Sequence, residues 1–314
     1  MKNLPVPRRR ERGVGGICDG VMIVDKEEGE TSSNVVRKVK KLLKVGKVGH
    51  AGTLDPFATG LLLVLLGQGT KLAPYLMAGD KTYLGTLTLG TETDTLDRTG
   101  RITDMRPVSN LDPDLVRRRA KAFVGEIEQT PPSYSALRVE GKRAYSLARK
   151  GVPVTLEKRR VTIKELTVLS VAFPDVTFRV ICSSGTYVRS LAADLGKDLG
   201  VGAHLKALRR TASGPHQVEG ALPSAGLATG LSAETVKEKI LSLREALPQV
   251  TEVEADEGTA QRVRRGCQPT WEELGSKAPL PREVVKLVTG PDLVALVRFG
   301  SEAKDHLRIL RVFG

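Results

Sequence analysis

The chain is poor in the residues that build metal and disulfide sites. Its three cysteines, Cys18, Cys182 and Cys267, are scattered without paired spacing, which argues against a disulfide framework and a zinc site. The four histidines are dispersed, and Asp94, Asp97 and Asp104 are spaced too irregularly for a calcium loop. The longest aliphatic run, Leu61–Leu66, is far too short to span a bilayer. No Gly-x-Gly-x-x-Gly follows a strand, and Gly69-Thr70-Lys71 has the P-loop order wrong, which disfavours nucleotide triphosphates and dinucleotides as ligands. No apolar signal segment follows the basic N-terminus, so a cytoplasmic protein without membrane attachment is expected. Aromatic residues make up only 4%, so each is worth following individually.

What the chain has in excess is positive charge. The formal net charge is +13 over 314 residues, which favours capture of polyanions. Arg37, Lys38, Lys40, Lys41, Lys44 and Lys47 have no acid among them between Thr31 and Leu54. A second cluster runs through Arg138, Lys142, Arg143, Arg149, Lys150, Lys158, Arg159 and Arg160. Two such runs flanking Gly- and Pro-rich segments favour a polyanion groove over merely solvated faces. The arginines of residues 1–16 fit either a solvated tail or an arm that touches nucleic acid.

Between the first basic run and Leu61–Leu66 lies Gly49-His50-Ala51-Gly52-Thr53-Leu54-Asp55-Pro56-Phe57-Ala58-Thr59-Gly60. Pro56 pushes Asp55 out of the helical region, and small residues surround it. Alone, Asp-Pro reads as a turn. With small neighbours, His50 nearby and a strand behind, it reads as a rigid loop on which one carboxylate acts as nucleophile or base. Tyr83 is either a core aromatic or a platform for a stacked base. Arg189, in an apolar helix, needs an anionic partner if buried. If that partner is Asp55, the carboxyl is expected to be held below its ordinary range. Tyr187 reads as packing, Lys26 as surface charge at a strand end, and His50 as a polar loop residue.

The periodicity predicts strands at Val21–Val24, Leu61–Leu66, Tyr83–Leu89, Val161–Val168 and Val176–Cys182. Helices are expected after a Ser32 or Ser33 cap up to Val45-Gly46, at Leu72–Met77, from Asp112 towards Gly125, along the Val188–Leu199 stripe and over Ala233–Leu243. Thr91–Gly100 reads as a loop. Gln129–Gly151 reads as a mobile basic flap with a helix from Arg143 to Arg149. Val250–Gly314 reads as a strand, a helix at Gly258–Arg265 and three further strands. No regular βαβ cadence appears, so the class is α+β.

Five ordered blocks then carry a resemblance. They are Asp25-Lys26 with Gly29-x-Thr31-Ser32; Gly49–Gly60; Lys81-x-Tyr83 with Leu89-Gly90-x-x-Thr93-Asp94-Thr95-x-Asp97; Gln129-x-Pro131-Pro132-x-Tyr134-Ser135-Ala136; and Cys182-Ser183-x-Gly185-Thr186-Tyr187-x-Arg189, running on to Leu208-Arg209-Arg210. Together they resemble the bacterial TruB-type tRNA pseudouridine synthases, which act on the T-arm uridine at tRNA position 55. The resemblance implies a mixed-sheet catalytic domain over residues 1–247, with the arm at about 1–16 and an RNA-contacting flap at 129–151. It implies a small β-rich PUA-like RNA-binding domain over 248–314. It implies Asp55 as the catalytic aspartate, Tyr83 as the base-stacking residue and Arg189 as the partner of the carboxylate. Tyr187, Leu208 and Lys26 would line the uridine pocket, and His50 would help hold the flipped-out conformation. Neither cofactor nor metal is expected. The implied partner is a tRNA T-arm stem-loop, bound by a monomer without guide RNA or protein partner. Two departures stand out: Glu27 where the family usually has Pro, and Arg138 where Lys is usual. An RNA-binding protein without chemistry, or a relative of the guide-dependent dyskerin, are the competing readings.

Overall fold

The computed structural model describes residues 18–314 apart from 136, 140, 149, 153–155, 275–282 and 300–306; the basic arm lies outside the described residues. The chain runs through β1 (Gly20–Lys26), α1 (Ser32–Leu43), β2 (Val48–Ala51), β3 (Thr59–Leu66), α2 (Ala73–Ala78) and β4 (Lys81–Leu89). A hairpin of β5 (Thr91–Thr93) and β6 (Ile102–Met105) follows, then α3 (Pro113–Lys121), β7 (Gly125–Gln129), β8 (Arg138–Val139), β9 (Lys142–Arg143) and α4 (Ala144–Ala148). Next come β10 (Arg159–Ala172), β11 (Asp175–Cys182), α5 (Val188–Asp198) and β12 (Ala203–Ser213). The short β13 (His216–Gln217), β14 (Leu222–Pro223), α6 (Gly226–Thr229), α7 (Ala233–Lys237) and β15 (Ile240–Leu241) return to the sheet. The end of the chain forms β16 (Glu252–Glu254), α8 (Glu257–Arg264), β17 (Val284–Thr289), β18 (Asp292–Phe299) and β19 (Leu307–Val312).

The fold is α+β. One mixed sheet has the order β14-β1-β3-β12-β4-β11-β10-β7, with β2 on β3, β13 on β12 and β15 on β1; a second has the order β16-β17-β18-β19. β3 is an unbroken apolar run because it is covered on both faces. Leu61, Leu63 and Leu65 pack with Leu72, Leu76, Leu296 and Phe313, while Leu62, Val64 and Leu66 pack with Val35, Val39 and Leu43 of α1. Each such side chain contributes about 1.5–3 kcal/mol by leaving water. β4 alternates instead. Tyr83, Leu87 and Leu89 face Val188, Leu191 and Leu195 of α5, and Leu84 faces solvent. The second sheet shares a core with the first through Leu296 and Phe313, and Lys71 Nζ donates to Val312 O at 2.7 Å.

Several local expectations are corrected. Thr31, not Ser32 or Ser33, caps α1, its hydroxyl accepting from Asn34 N. Ser32 instead turns inward toward Leu54. The stretch Thr91–Gly100 is not all loop, since β5 pairs with β6 and Asp97 is buried. α3 stops at Lys121. The helix expected to Leu243 stops at Lys237, because Ile240 and Leu241 pair with β1. β12 is a strand that the periodicity does not predict, and its parallel pairing with β3 requires Gly60. A Cβ at Gly60 would lie 2.2 Å from Arg210 O.

Candidate active site

Tyr83 of β4 and Leu208 of β12 line the site, α5 packs against these two strands, and β3 lies beside β12. Asp55 lies on the loop between β2 and β3. Ser32 Oγ accepts from Leu54 N at 3.0 Å and donates to Leu54 O at 3.2 Å. Gly29 N donates to Pro56 O at 2.8 Å, and Ala58 N to Asp55 O at 3.1 Å. The loop is therefore fixed by its own backbone on both sides of the carboxylate.

Arg189 stands in the first turn of α5, 4% exposed. Its Nη2 donates to Asp55 Oδ1 at 3.2 Å, and its Nε lies 2.9 Å from Asp55 Oδ2 as an ion-pair contact without hydrogen-bond geometry. The other face is held as firmly. Nη1 donates to Thr95 O at 3.0 Å and lies 3.4 Å from Asp97 Oδ2, while Nη2 donates to Tyr134 O at 3.0 Å. One guanidinium thus joins the Asp55 loop, the β5–β6 connection and the segment after β7.

Burial pushes the Asp55 carboxyl above the ordinary carboxylate range; Arg189 pulls it down, Asp97 adds to the upward push, and Lys26 opposes it. This corrects the expectation of a lowered value. The Asp55 side chain is still 34% exposed, because it opens on a cavity of about 550 Å³. A carboxylate more basic than usual, held against a guanidinium, can serve as nucleophile or base.

Tyr83, Tyr187, Leu208 and Arg189 line the same cavity as Asp55. Burial raises the Tyr83 phenol, which stays protonated. Tyr187 is fixed by Gln129, whose amide donates to Tyr187 O at 3.1 Å and accepts from Tyr187 N at 2.7 Å. The Arg159 guanidinium lies 5.6 Å from the Tyr187 ring centre. His50 and Lys26 do not line the cavity. His50 is half-buried on β2, and burial, helped by Arg210, holds its imidazole below the ordinary range. Lys26 is fully buried, not surface charge. Its Nζ donates to the carbonyls of Glu27 and Glu30 at 2.8 Å each and to Pro56 O at 3.3 Å, tying β1 to the Asp55 loop. Glu27 also supplies an N–H that a proline would lack, and it donates to Ser224 Oγ at 3.0 Å.

Burial pushes the Lys26 ammonium down to about 8 from 10.5. Between those values the folded chain binds fewer protons than the unfolded one, so this group makes stability rise with pH there. Lys26→Met is expected to strand the carbonyls and cost about 1–3 kcal/mol, and to remove the alkaline rise. Urea unfolding at pH 7 and pH 10 measures both, and a parental unfolding curve at each pH would show that the loop is held by other contacts.

Three site residues escaped the sequence reading. Asp97, Gln129 and Arg210 each belong to one of the five blocks, but none is given a role in the site by the sequence. The signal for Arg210 is the period-two alternation of β12, which places a charge between the inward Leu208 and Ala212. Among the described residues no cluster of three or more His, Cys, Asp or Glu side chains could hold a metal ion, and no helix is long and apolar enough to cross a membrane.

Comparison with known proteins adds to this geometry. Residues 40–188 match the model of the TruB family pseudouridylate synthase N-terminal domain, and residues 189–250 that of the tRNA pseudouridylate synthase B C-terminal domain. The second match contains α5 and β12, so both segments contribute to one cavity. A tRNA pseudouridine synthase B from Syntrophus aciditrophicus is 42% identical over 309 residues, covering 94% of this chain and 98% of the relative. One from Geobacter sulfurreducens is 40% identical, covering 94% and 99%. Among solved structures, a chain of a Cbf5-Nop10-Gar1 complex aligns with TM-score 0.73 at 28% identity over 95% of this chain and 85% of that one. A chain of an H/ACA RNP bound to a substrate RNA containing 2′-deoxyuridine aligns with TM-score 0.72 at 26% identity over 95% and 86%.

Proposed function

The chain belongs to the TruB family of pseudouridylate synthases, and from that premise we propose that it isomerises the T-arm uridine at position 55 of tRNA, with Asp55 as the reacting carboxylate. That the chain is a tRNA pseudouridine synthase, an isomerase, follows from the family and its relatives. The observation that carries the finer reading is the Asp55–Arg189 pair facing a cavity that Tyr83 also lines.

The reaction breaks the bond between N1 of uracil and C1′ of ribose, turns the base and joins C5 to C1′. C5 loses a proton and N1 gains one, so no electrons are exchanged with a cofactor and none is required. Asp55 attacks C1′ or C6, or removes the C2′ proton; its basicity suits each role. The target uridine leaves its stack at a cost of a few kcal/mol, offset by the Tyr83 ring and by contacts to phosphates. Tyr187 and Leu208 close the pocket around the freed uracil, which must stay bound for isomerisation rather than loss of the base.

The basic clusters serve the backbone of the RNA. Arg37, Lys40, Lys41, Lys44 and Lys47 are exposed along α1 and the turn after it. The flap and the PUA-like unit of residues 248–314 add further RNA contacts in this reading. The chain works in the cytoplasm as a monomer, without guide RNA or protein partner. The extended similarity to bacterial synthases named for tRNA supports independence from a guide.

The deciding experiment is incubation of the purified chain with an unmodified T-arm stem-loop, followed by carbodiimide mapping. One modified loop uridine without added guide or partner is expected; modification only with a guide would favour the dyskerin-like reading, and none in either case would leave an RNA-binding protein. Replacing Lys40, Lys41 and Lys44 together by Ala is expected to weaken binding and flatten its salt dependence by a slope of about 2, with the rate at saturating RNA unchanged. An unaltered salt slope would remove α1 from the interface.

A further inference from the structure

Arg210 has no part in the chemistry above, yet it is 1% exposed and among the largest fully buried side chains. It lies on β12 between β3 and β4, opposite Gly60 on one side and Tyr83 on the other. A register shift between Arg210 and Ala212 interrupts the ladder with β4 at this point, the kind of irregularity that re-aims a side chain. Its Nε donates to Leu61 O at 2.7 Å, and its Nη2 to Gly52 O at 3.1 Å. Gly52, with φ +90°, brings its backbone so close that a Cβ would lie 3.3 Å from Arg210 Nη1.

Among the described residues no carboxylate forms an ion pair with Arg210. A buried charge held only by neutral partners is costly, and packing alone would be served by an apolar residue of similar volume. What an apolar residue lacks is the ability to grip backbone carbonyls on two different segments from one rigid fork.

We propose that Arg210 is the positioning residue of the site: by holding Gly52 O of the Asp55 loop and Leu61 O of β3 beside Tyr83, it sets the separation between the Asp55 carboxylate and the stacking ring. The proposal rests on the reading of Asp55 and Tyr83 given above. Burial raises the Tyr83 phenol, and the charge of the same guanidinium pulls it back down. Burial pushes Lys26, His50 and Lys81 down, and the nearby charge of Arg210 adds to that push in each.

The test uses the full chain, an unmodified T-arm stem-loop and the variants Arg210→Gln and Arg210→Lys. RNA affinity is expected to stay within about threefold of the parent, while the single-turnover rate at saturating RNA falls about 100-fold for Arg210→Gln, the scale of a small misplacement of reacting groups. Arg210→Lys keeps the charge but cannot span both carbonyls, and should recover about tenfold of that loss. A parental rate in folded Arg210→Lys would overturn the proposal, as would a loss that appears only as weaker binding. Failure of Arg210→Lys to fold, judged by circular dichroism, would also overturn it by making the residue structural. If Asp55→Asn keeps its turnover, the reading of the site fails; if Asp55→Asn is inactive and Arg210→Lys is fully active, only this proposal fails.

Discussion

Asp55→Asn is expected to bind a T-arm stem-loop as the parent does and to modify none of it, with turnover reduced by at least about 10⁴-fold. Asparagine keeps the shape of the side chain and can still accept from Arg189. It cannot add to carbon or take a proton. Stability should move the other way. Burial raises the Asp55 carboxyl above its unfolded value, so its contribution to stability is full below the unfolded value of about 3.8 and is lost as pH rises through the higher folded value. The neutral amide removes that decline, and Arg189 keeps Asp97 as a partner. The melting temperature of Asp55→Asn at pH 7 should therefore equal or exceed that of the parent. Because about a third of the side chain is exposed, solvent screens part of the gain. Inactivity together with lost RNA binding or a lower melting temperature would mark Asp55 as structural instead.

Asp55 was legible because its loop advertises itself locally. Glycines, a proline and small side chains around one acid leave few other uses for the segment, and the strand behind it is plain. Arg189 was legible for the opposite reason, as a charge where an apolar stripe demanded none. The charge balance at the site was not legible. The sequence shows that an arginine exists for the aspartate but not that the arginine is buried, nor that Asp97 shares the same guanidinium. Asp97 lies in a Thr- and Asp-rich stretch that looks solvated. Its carboxylate instead accepts from Thr95 Oγ1, Thr99 N and Thr99 Oγ1 and lies against Arg189 from the distant α5.

The same division holds for the fold. β3 and β4 could be placed from their apolar patterns, because burial on two faces or one writes itself into the residues. β12 could not, since Lys206 and Ala207 break its alternation and the inward position between Leu208 and Ala212 holds a charge, Arg210. Lys26 misled for a related reason. A lysine at a strand end reads as solvent-facing, and only the folded turn shows three carbonyls converging on it. Pro56 O, which holds Lys26, and Leu61 O and Gly52 O, which hold Arg210, come from elsewhere in the chain, so the burial of these two charges is not written beside them.

Arg189→Met should have the largest combined effect, because it removes the one cation between two carboxylates. Asp55 and Asp97 would then face each other with no charge between them. Breaking a buried pair in this way costs about 3–5 kcal/mol, which urea unfolding measures. Loss of the guanidinium also removes the pull that lowers the Asp55 carboxyl. Burial and Asp97 then act unopposed by Arg189, so the carboxyl rises further and the acid limb of the single-turnover pH profile moves to higher pH. At pH 7 the rate is expected to fall at least about 10³-fold, with partial recovery as the pH is raised. Arg189→Lys keeps a charge but cannot hold Asp55, Asp97, Thr95 O and Tyr134 O from one planar group, so its rate and stability should fall between those of Arg189→Met and the parent. Adding Asp97→Asn to Arg189→Met removes one orphaned charge and should restore part of the stability and lower the acid limb again. A pH profile of Arg189→Met that superimposes on the parent's would mean that this guanidinium does not set the charge of Asp55, and the pair would then be only a tether between α5 and the loop.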